Sequence, residues 1–151
     1  MNTQFEVLKK SREIVLSKID NLSLEQLHKT PKGFKNNIAW NLAHLVVTQQ
    51  LLHYKLSGLN CLVPDELIEK YRKGTAPSET FTQEELNEVK ELFLGLPQTL
   101  EEDYNAAIFK NYLGYTTSMD FNLTSIEDAI EFNNLHEGIH LGIIMALIKL
   151  V

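Results

Sequence analysis

The residues of this chain best suited to chemistry are two histidines four positions apart, in the string His136-Glu137-Gly138-Ile139-His140. Residues four apart on a helix differ by about 40° in direction, so both imidazoles share a face. Within about 60° of His136 fall Ala129, Phe132, Ile139, Ile143, Leu147 and Leu150, whereas Glu127, Glu131 and Lys149 fall on the back. Two imidazoles therefore interrupt an apolar face, and an imidazole buried without a partner is costly. Hydrogen bonds to backbone or to Glu and Asn side chains would satisfy them. So would a shared metal, since neutral imidazole is the commonest protein ligand for zinc and similar ions. For a pair at this spacing the metal is the better account.

Two familiar metal patterns fail on composition. The string matches H-E-x-x-H, the zinc-protease signature, which needs a further ligand downstream. The residues after His140 read LGIIMALIKLV and offer neither carboxylate nor histidine. Glu25-His28 and Glu137-His140 both read Glu-x-x-His, as in di-iron bundles, but that site also needs a carboxylate from each of two other helices. The segment expected to form the second helix contains none.

A third ligand must then come from upstream, and His44 in NNIAWNLAHLVVTQQ is the candidate. Within about 60° of it lie Asn37, Trp40, Asn41, Val47, Thr48, Leu51 and Lys55, a mixed face that reads as a pocket wall. Asn37, Trp40, Asn41 and Thr48 are the candidate substrate contacts. His53 points nearly opposite, which predicts a surface or interface residue, and His28 sits in a short turn where a structural role is expected. Three histidines without a fourth protein ligand describe an open site, the arrangement that catalytic zinc uses and structural zinc does not. Glu137, about 100° round the helix from His136, is the candidate catalytic group, as orienter or proton carrier. The competing expectation for it is a solvated charge on the helix flank.

These residues need elements to hold them. The chain has 151 residues, 44% apolar and 23% charged, which predicts one folded domain over 1–151. Thr3 with Glu6, Thr82 with Glu85 and Thr124 with Glu127 fit capping boxes ahead of apolar-periodic runs. The first run predicts a helix to about Asp20, after which Ser23 caps a short turn from Leu24 to His28. A helix from Asn36 or Asn37 to Leu56, with Gly58 just beyond, is apolar over most of its circumference. Such a helix must be covered on more than one side, by the bundle or by a second subunit, and a homodimer is the expectation. Pro64 introduces a short helix, Asp65 to Tyr71, and Pro97 is expected to kink or break the helix opened at Thr82. Residues Asn105 to Asn122 lack helical period, which predicts a lid or a small extended pair. Four main helices without a strand pattern predict an all-α bundle.

Composition bounds the partners. A formal charge of -6, from 14 basic and 20 acidic residues, argues against nucleic acid. The single cysteine, Cys61, excludes a disulfide framework and suits a reducing cytoplasm. The start shows no signal peptide, and the longest apolar stretch, Leu141 to Ile148, falls far short of the roughly 20 residues that span a bilayer.

The segments Asn36-Asn37-Ile38-Ala39-Trp40-Asn41-Leu42-Ala43-His44 and Asn134-Leu135-His136-Glu137-Gly138-Ile139-His140 together resemble the DinB/YfiT-like superfamily of metalloenzymes. The resemblance implies a four-helix bundle of up-down-down-up topology and one divalent ion, zinc or nickel, held by His44, His136 and His140. It also implies a homodimer. Better-understood relatives activate a low-molecular-weight thiol for transfer or isomerisation. Here Leu141 and Ile143 stand where many relatives carry Arg and Gln, and Asn41 where some carry another histidine. The expected function is a metal-dependent enzyme acting on a small molecule, as a thiol-dependent S-transferase or a hydrolase. The alternative is a non-catalytic helical module for binding or stress response.

Overall fold

The computed structural model describes residues 1–78 and 80–151. Helix α1, Asn2–Ile19, turns Phe5, Leu8, Arg12, Val15 and Ile19 inward at spacings of three and four. It is already helical at Asn2, so Thr3 lies inside the helix and the expected capping box does not form; Met1 is the cap and makes no side-chain bond. Helix α2, Leu24–His28, opens on a reciprocal box between Ser23 and Gln26.

Helix α3, Ile38–His53, opens on Asn37, whose Oδ1 accepts from the Trp40 N–H at 2.8 Å. This bond satisfies one of the backbone donors that every helix start leaves free. After His53 a single 3-10 turn, Lys55–Ser57, closes on Gly58 at φ 74°, where a residue lacking Cβ is unstrained. Helix α4, Asp65–Tyr71, follows Pro64 as expected.

Helix α5, Gln83–Asn105, carries the expected Thr82–Glu85 box and continues through Pro97, so that of the expected kink or break no break occurs. A proline inside a helix leaves the carbonyl four residues earlier without its N–H. Here that carbonyl is Phe93, and Arg12 Nη1 of α1 donates to it at 2.9 Å. Helix α6, Ile126–Ile148, starts one position later than expected. Ser125 accepts from the Asp128 N–H, while the Thr124 N–H and hydroxyl both donate to the Asp128 carboxylate at 2.8 Å.

The four long helices pack α3 against α5 and α6, and α1 against the same two, with α4 and α2 lying against α3. Helix α3 is buried along nearly its whole circumference within one chain. Its apolar surface therefore requires no second subunit. Between α5 and α6 a small antiparallel pair, β1 (Tyr115–Thr116) and β2 (Asn122–Leu123), holds register Tyr115 to Leu123. This is the extended pair expected of the segment. Leu113 N–H donates to Leu56 O at 2.6 Å and the Tyr112 hydroxyl to Leu52 O at 3.1 Å, tying its approach to the end of α3.

Buried apolar residues fall in two clusters, one around Val15, Val47, Phe93 and Ile144, the other around Leu8, Tyr54, Leu100 and Ile130. On α1, α3 and α6 the changeover between clusters is occupied by buried polar groups: Arg12, then Gln49 and His53, then Asn133 and Glu137. A polar layer thus crosses the bundle. No described helix is long and apolar enough to cross a membrane.

Candidate metal centre

Two helices bring the three histidines together. α3 presents His44, and α6 presents His136 and His140 from adjacent turns, with one nitrogen of each ring lying within 4.8 Å of the others. Ring centroids are 5.2 Å apart for His44 and His136, 4.9 Å for His44 and His140, and 4.4 Å for the α6 pair. Trp40, one turn before His44, stacks on its ring at 4.5 Å with planes 12° apart, and Trp40 Nε1 donates to Thr75 Oγ1 at 3.2 Å. The His44 ring is therefore held in its plane by an aromatic face that is itself tethered.

Hydrogen bonds to two of the rings decide which nitrogen carries the proton. His44 Nδ1–H donates to the Tyr71 carbonyl at 2.7 Å, which leaves Nε2 with its lone pair. The Thr48 hydroxyl lies 3.3 Å from that Nε2. His140 Nδ1–H donates to Asn41 Oδ1 at 2.7 Å, and Asn41 Nδ2 donates in turn to Asn37 O at 2.7 Å. A carbonyl oxygen fixing the outward nitrogen of a metal-ligating histidine is the usual supporting arrangement. His136 Nδ1 is buried without a partner among the described residues. Burial pushes the His136 pKa down to about 3, with His140, His44 and Arg12 adding repulsion, and pushes His140 to about 4 with His44 adding. His44 is lowered too, against the Tyr71 bond that favours its charged form. Neutral rings with fixed lone pairs and one unsatisfied nitrogen form a donor set that could hold a metal ion. Zinc–nitrogen bonds of about 2.0–2.1 Å would require the rings to draw slightly inward.

A cavity of about 300 Å³ opens against His44 and His136. Thr48, Leu51, Leu52 and Leu56 wall it from α3 and the following turn, Tyr115, Thr117, Ser118 and Met119 from the β1–β2 segment, and Phe132 from α6; Lys55 and Lys73 complete the lining. Thr117 shapes the bend opposite, its hydroxyl accepting from the N–H groups of Met119 and Phe121 at 3.3 and 3.1 Å.

Of the four candidate substrate contacts, Thr48 lines this cavity, while Asn37, Trp40 and Asn41 stand behind the histidines as the cap, the stacking face and the oxygen partner just described. Glu137 lies neither in the cavity wall nor on a solvated flank. It is 3% exposed, and its hydrogen bonds among the described residues all go to Arg12, the shortest from Nη2 at 2.6 Å. The face placed at the centre of the buried stripe is corrected accordingly. The buried stripe of α6 runs through Ala129, Ile130, Asn133, Glu137, Ile144 and Leu147, while Ile139 and Leu150 are exposed and the two histidines are half-buried at its edge.

His53 is likewise no surface residue: it is 0% exposed, with Nδ1–H donating to Gln49 O at 2.7 Å. His28 is structural as expected, since Nδ1–H donates to Leu24 O and Nε2 accepts from the Phe81 N–H. Sequence reasoning did not find Tyr71, which acts through its backbone carbonyl and so leaves no side-chain signal, nor Lys73, which reaches the cavity from the loop after α4.

Compared with the curated proteins, the chain has no match. Residues 8–144 match the sequence profile of the DinB superfamily, from the second turn of α1 to the last turns of α6, with all three histidines inside the match. The chain belongs to the DinB superfamily.

Proposed function

We propose that this chain is a metal-dependent enzyme in which His44, His136 and His140 hold one divalent transition metal, zinc or nickel, at the floor of the cavity. The observation that carries the reading is the convergence of three neutral imidazoles, their donor atoms within 4.8 Å, against a cavity with room for a small substrate. A divalent ion bound there would supply Lewis acidity toward a thiol, a water or a carbonyl. The chain's own residues do the rest. Tyr71 O and Asn41 hold the outward ring protons of His44 and His140, so that the inward lone pairs stay available. Trp40 and Asn37 fix the first turns of α3 behind them. Thr48 is the polar group beside His44 on the cavity side, placed to hold or orient a substrate hydroxyl or thiol, and the leucines of α3 limit the access of water.

The proposed reaction is transfer involving a low-molecular-weight thiol, or hydrolysis of a small molecule. The family resemblance favours the transfer. With Cys61 the sole cysteine, any reacting sulfur would arrive with the substrate. The bonds from Arg12 give Glu137 a positioning role in the helix interior. We also propose that residues 1–151 form one domain with an up-down-down-up course of α1, α3, α5 and α6, that the protein is cytoplasmic, and that it forms the homodimer the resemblance implies. Light scattering returning a monomer would remove the last.

Elemental analysis of tag-free protein tests the central point. Near-stoichiometric zinc or nickel, as purified or after reconstitution, is the expected result. Less than about a tenth of an equivalent of any transition metal would overturn the reading and favour a non-catalytic module.

A further inference from the structure

The cavity against the histidines is charged in the opposite sense to the chain around it. The chain carries 20 acidic and 14 basic residues, yet the described lining includes Lys55 and Lys73 and no aspartate or glutamate. The two lysines come from separate elements, one from the turn that follows α3 and one from the loop after α4. Both are exposed, and neither forms an ion pair among the described residues. His44, by contrast, is 5% exposed and His136 half-buried, so the lysines belong to the exposed part of the lining and the imidazoles to its buried part. Between them the wall is mainly Leu51, Leu52, Leu56, Met119 and Phe132.

Lysine stems cover apolar surface while their ammonium groups stay in water. Two such groups at the rim of an apolar cavity attract an anion and add specificity more than bulk affinity. We propose that the cavity takes a small apolar monoanion of the carboxylate class. Its charged end meets Lys55 and Lys73, and its hydrocarbon or aromatic body runs inward toward His44 and His136. The inference names the substrate class for the metal-dependent reading and rests on it. It carries a consequence for orientation: the end of the molecule farthest from its charge is the end presented to the histidines. A volume of about 300 Å³ suits a body of modest length.

Calorimetric titration of the full chain, metal-free and zinc-loaded, with octanoate and with its neutral counterpart octanamide tests this. Octanoate is expected to bind roughly two- to thirtyfold more tightly in both forms, the range for two partly exposed charge pairs. In the Lys55→Gln/Lys73→Gln variant, whose changes lie on exposed side chains, the preference should vanish while octanamide affinity stays within about twofold. Equal affinities in the unmodified chain, or binding of neither probe, would overturn the inference. So would a preference that survives the double variant, or one that appears only with zinc, because the carboxylate would then be reading the metal. The two readings fail separately. A chain that takes up no zinc yet keeps the lysine-dependent preference loses only the metal reading. One that binds zinc through its histidines without the preference loses only this inference.

Discussion

Helices α3 and α6 carry two sets of polar residues at the same helical spacing, and the two sets meet opposite fates. In the layer that crosses the bundle, Arg12 is 0% exposed and donates to Glu137 on α6, to Phe93 O on α5 and to Leu45 O on α3. One guanidinium thus joins all four long helices, and its charge is matched by a carboxylate within the chain. In the corner, among the described residues, the outward nitrogens of His44 and His140 are held by carbonyl oxygens, His136 Nδ1 has no partner, and the one contact on the cavity side is the Thr48 hydroxyl at 3.3 Å from His44 Nε2. Within the layer the Arg12–Glu137 pair is closed on itself, although Gln49 Oε1 and the Asn133 amide beside it have no hydrogen-bond partner among the described residues, whereas the corner is supported from behind and open in front. A buried polar group that is fully partnered within the chain is read as architecture. One that is oriented and then left unmatched on its cavity side is read as a site.

The largest effect that would break this contrast lies in the layer. Arg12→Ala leaves Glu137 buried without its counter-charge and should cost about 3–5 kcal/mol of unfolding free energy in urea. Exchanging both partners for apolar residues, Arg12→Met with Glu137→Leu, should recover most of that loss. A cost for Arg12→Ala below about 1 kcal/mol would remove the layer's structural standing.

In the corner the loss should appear in metal affinity. His140→Ala should weaken zinc binding by more than the roughly 10–100-fold typical of a supporting residue, with the metal-free chain losing less than about 2 kcal/mol of stability. Full zinc binding by that variant would place the corner with the layer. A smaller effect is expected from Asn41→Ala, which frees the His140 ring without removing it: about 10–100-fold in zinc affinity. An unchanged affinity would mean that the ring is held by packing alone.

The pH dependences are smaller still and separate the regions once more. In the layer, burial pushes the His53 pKa to about 4 from 6.5, so the unfolded chain binds that proton first. The stability this confers is complete above about pH 6.5 and is lost as pH falls toward about 4, at no more than about 1.4 kcal/mol per pH unit. Replacing His53 by leucine should flatten that slope in pH-dependent urea unfolding. In the corner, values of about 3 for His136 and about 4 for His140 keep protons off the rings in the same window. Zinc uptake should therefore hold from pH 7 to about 5, and a fall already at pH 6.5 would mean that the rings titrate as they do in water.

The three histidines of the corner were legible in the sequence because they announce themselves by type, and the α6 pair by a spacing of four, whereas Asn37, Trp40 and Asn41 were read as substrate contacts and stand behind the rings. A ligand that is a histidine in a greasy helix stands out, and so does an asparagine at a helix start. The short helices behind Ser23 and Pro64, the Thr82 box and the stop at Gly58 were legible for the same local reason, although α3 itself ends at His53 and a 3-10 turn fills the interval.

The layer was not legible. Glu137 finds its partner 125 residues away in sequence, and a helical wheel scored by hydrophobicity assigns an unpaired glutamate to the flank. Once Arg12 neutralises it, the buried face of α6 rotates toward Glu137 and carries the histidines to the border. His53 was misjudged in the same way, by a rule that sends polar side chains outward. A break at Pro97, one of the two outcomes expected there, does not occur, because the rule for proline counts the lost N–H and not a donor arriving from another helix. Thr3 failed for the opposite reason, since α1 is helical one residue before it.

That substitute donor bears on how the chain assembles. The carbonyl which Pro97 leaves free is matched only when α1 lies beside α5, and the same guanidinium is neutralised only when α6 is also in place. Pairs of helices can bury leucines on their own, but none can bury Arg12 at a tolerable cost. Partial assemblies must keep that side chain in water and their interior unsealed, which disfavours them as resting states on the way to the native structure. The bundle is thereby expected to form and to come apart as a single cooperative unit, with the guanidinium among the last groups to be enclosed and the first to let water in.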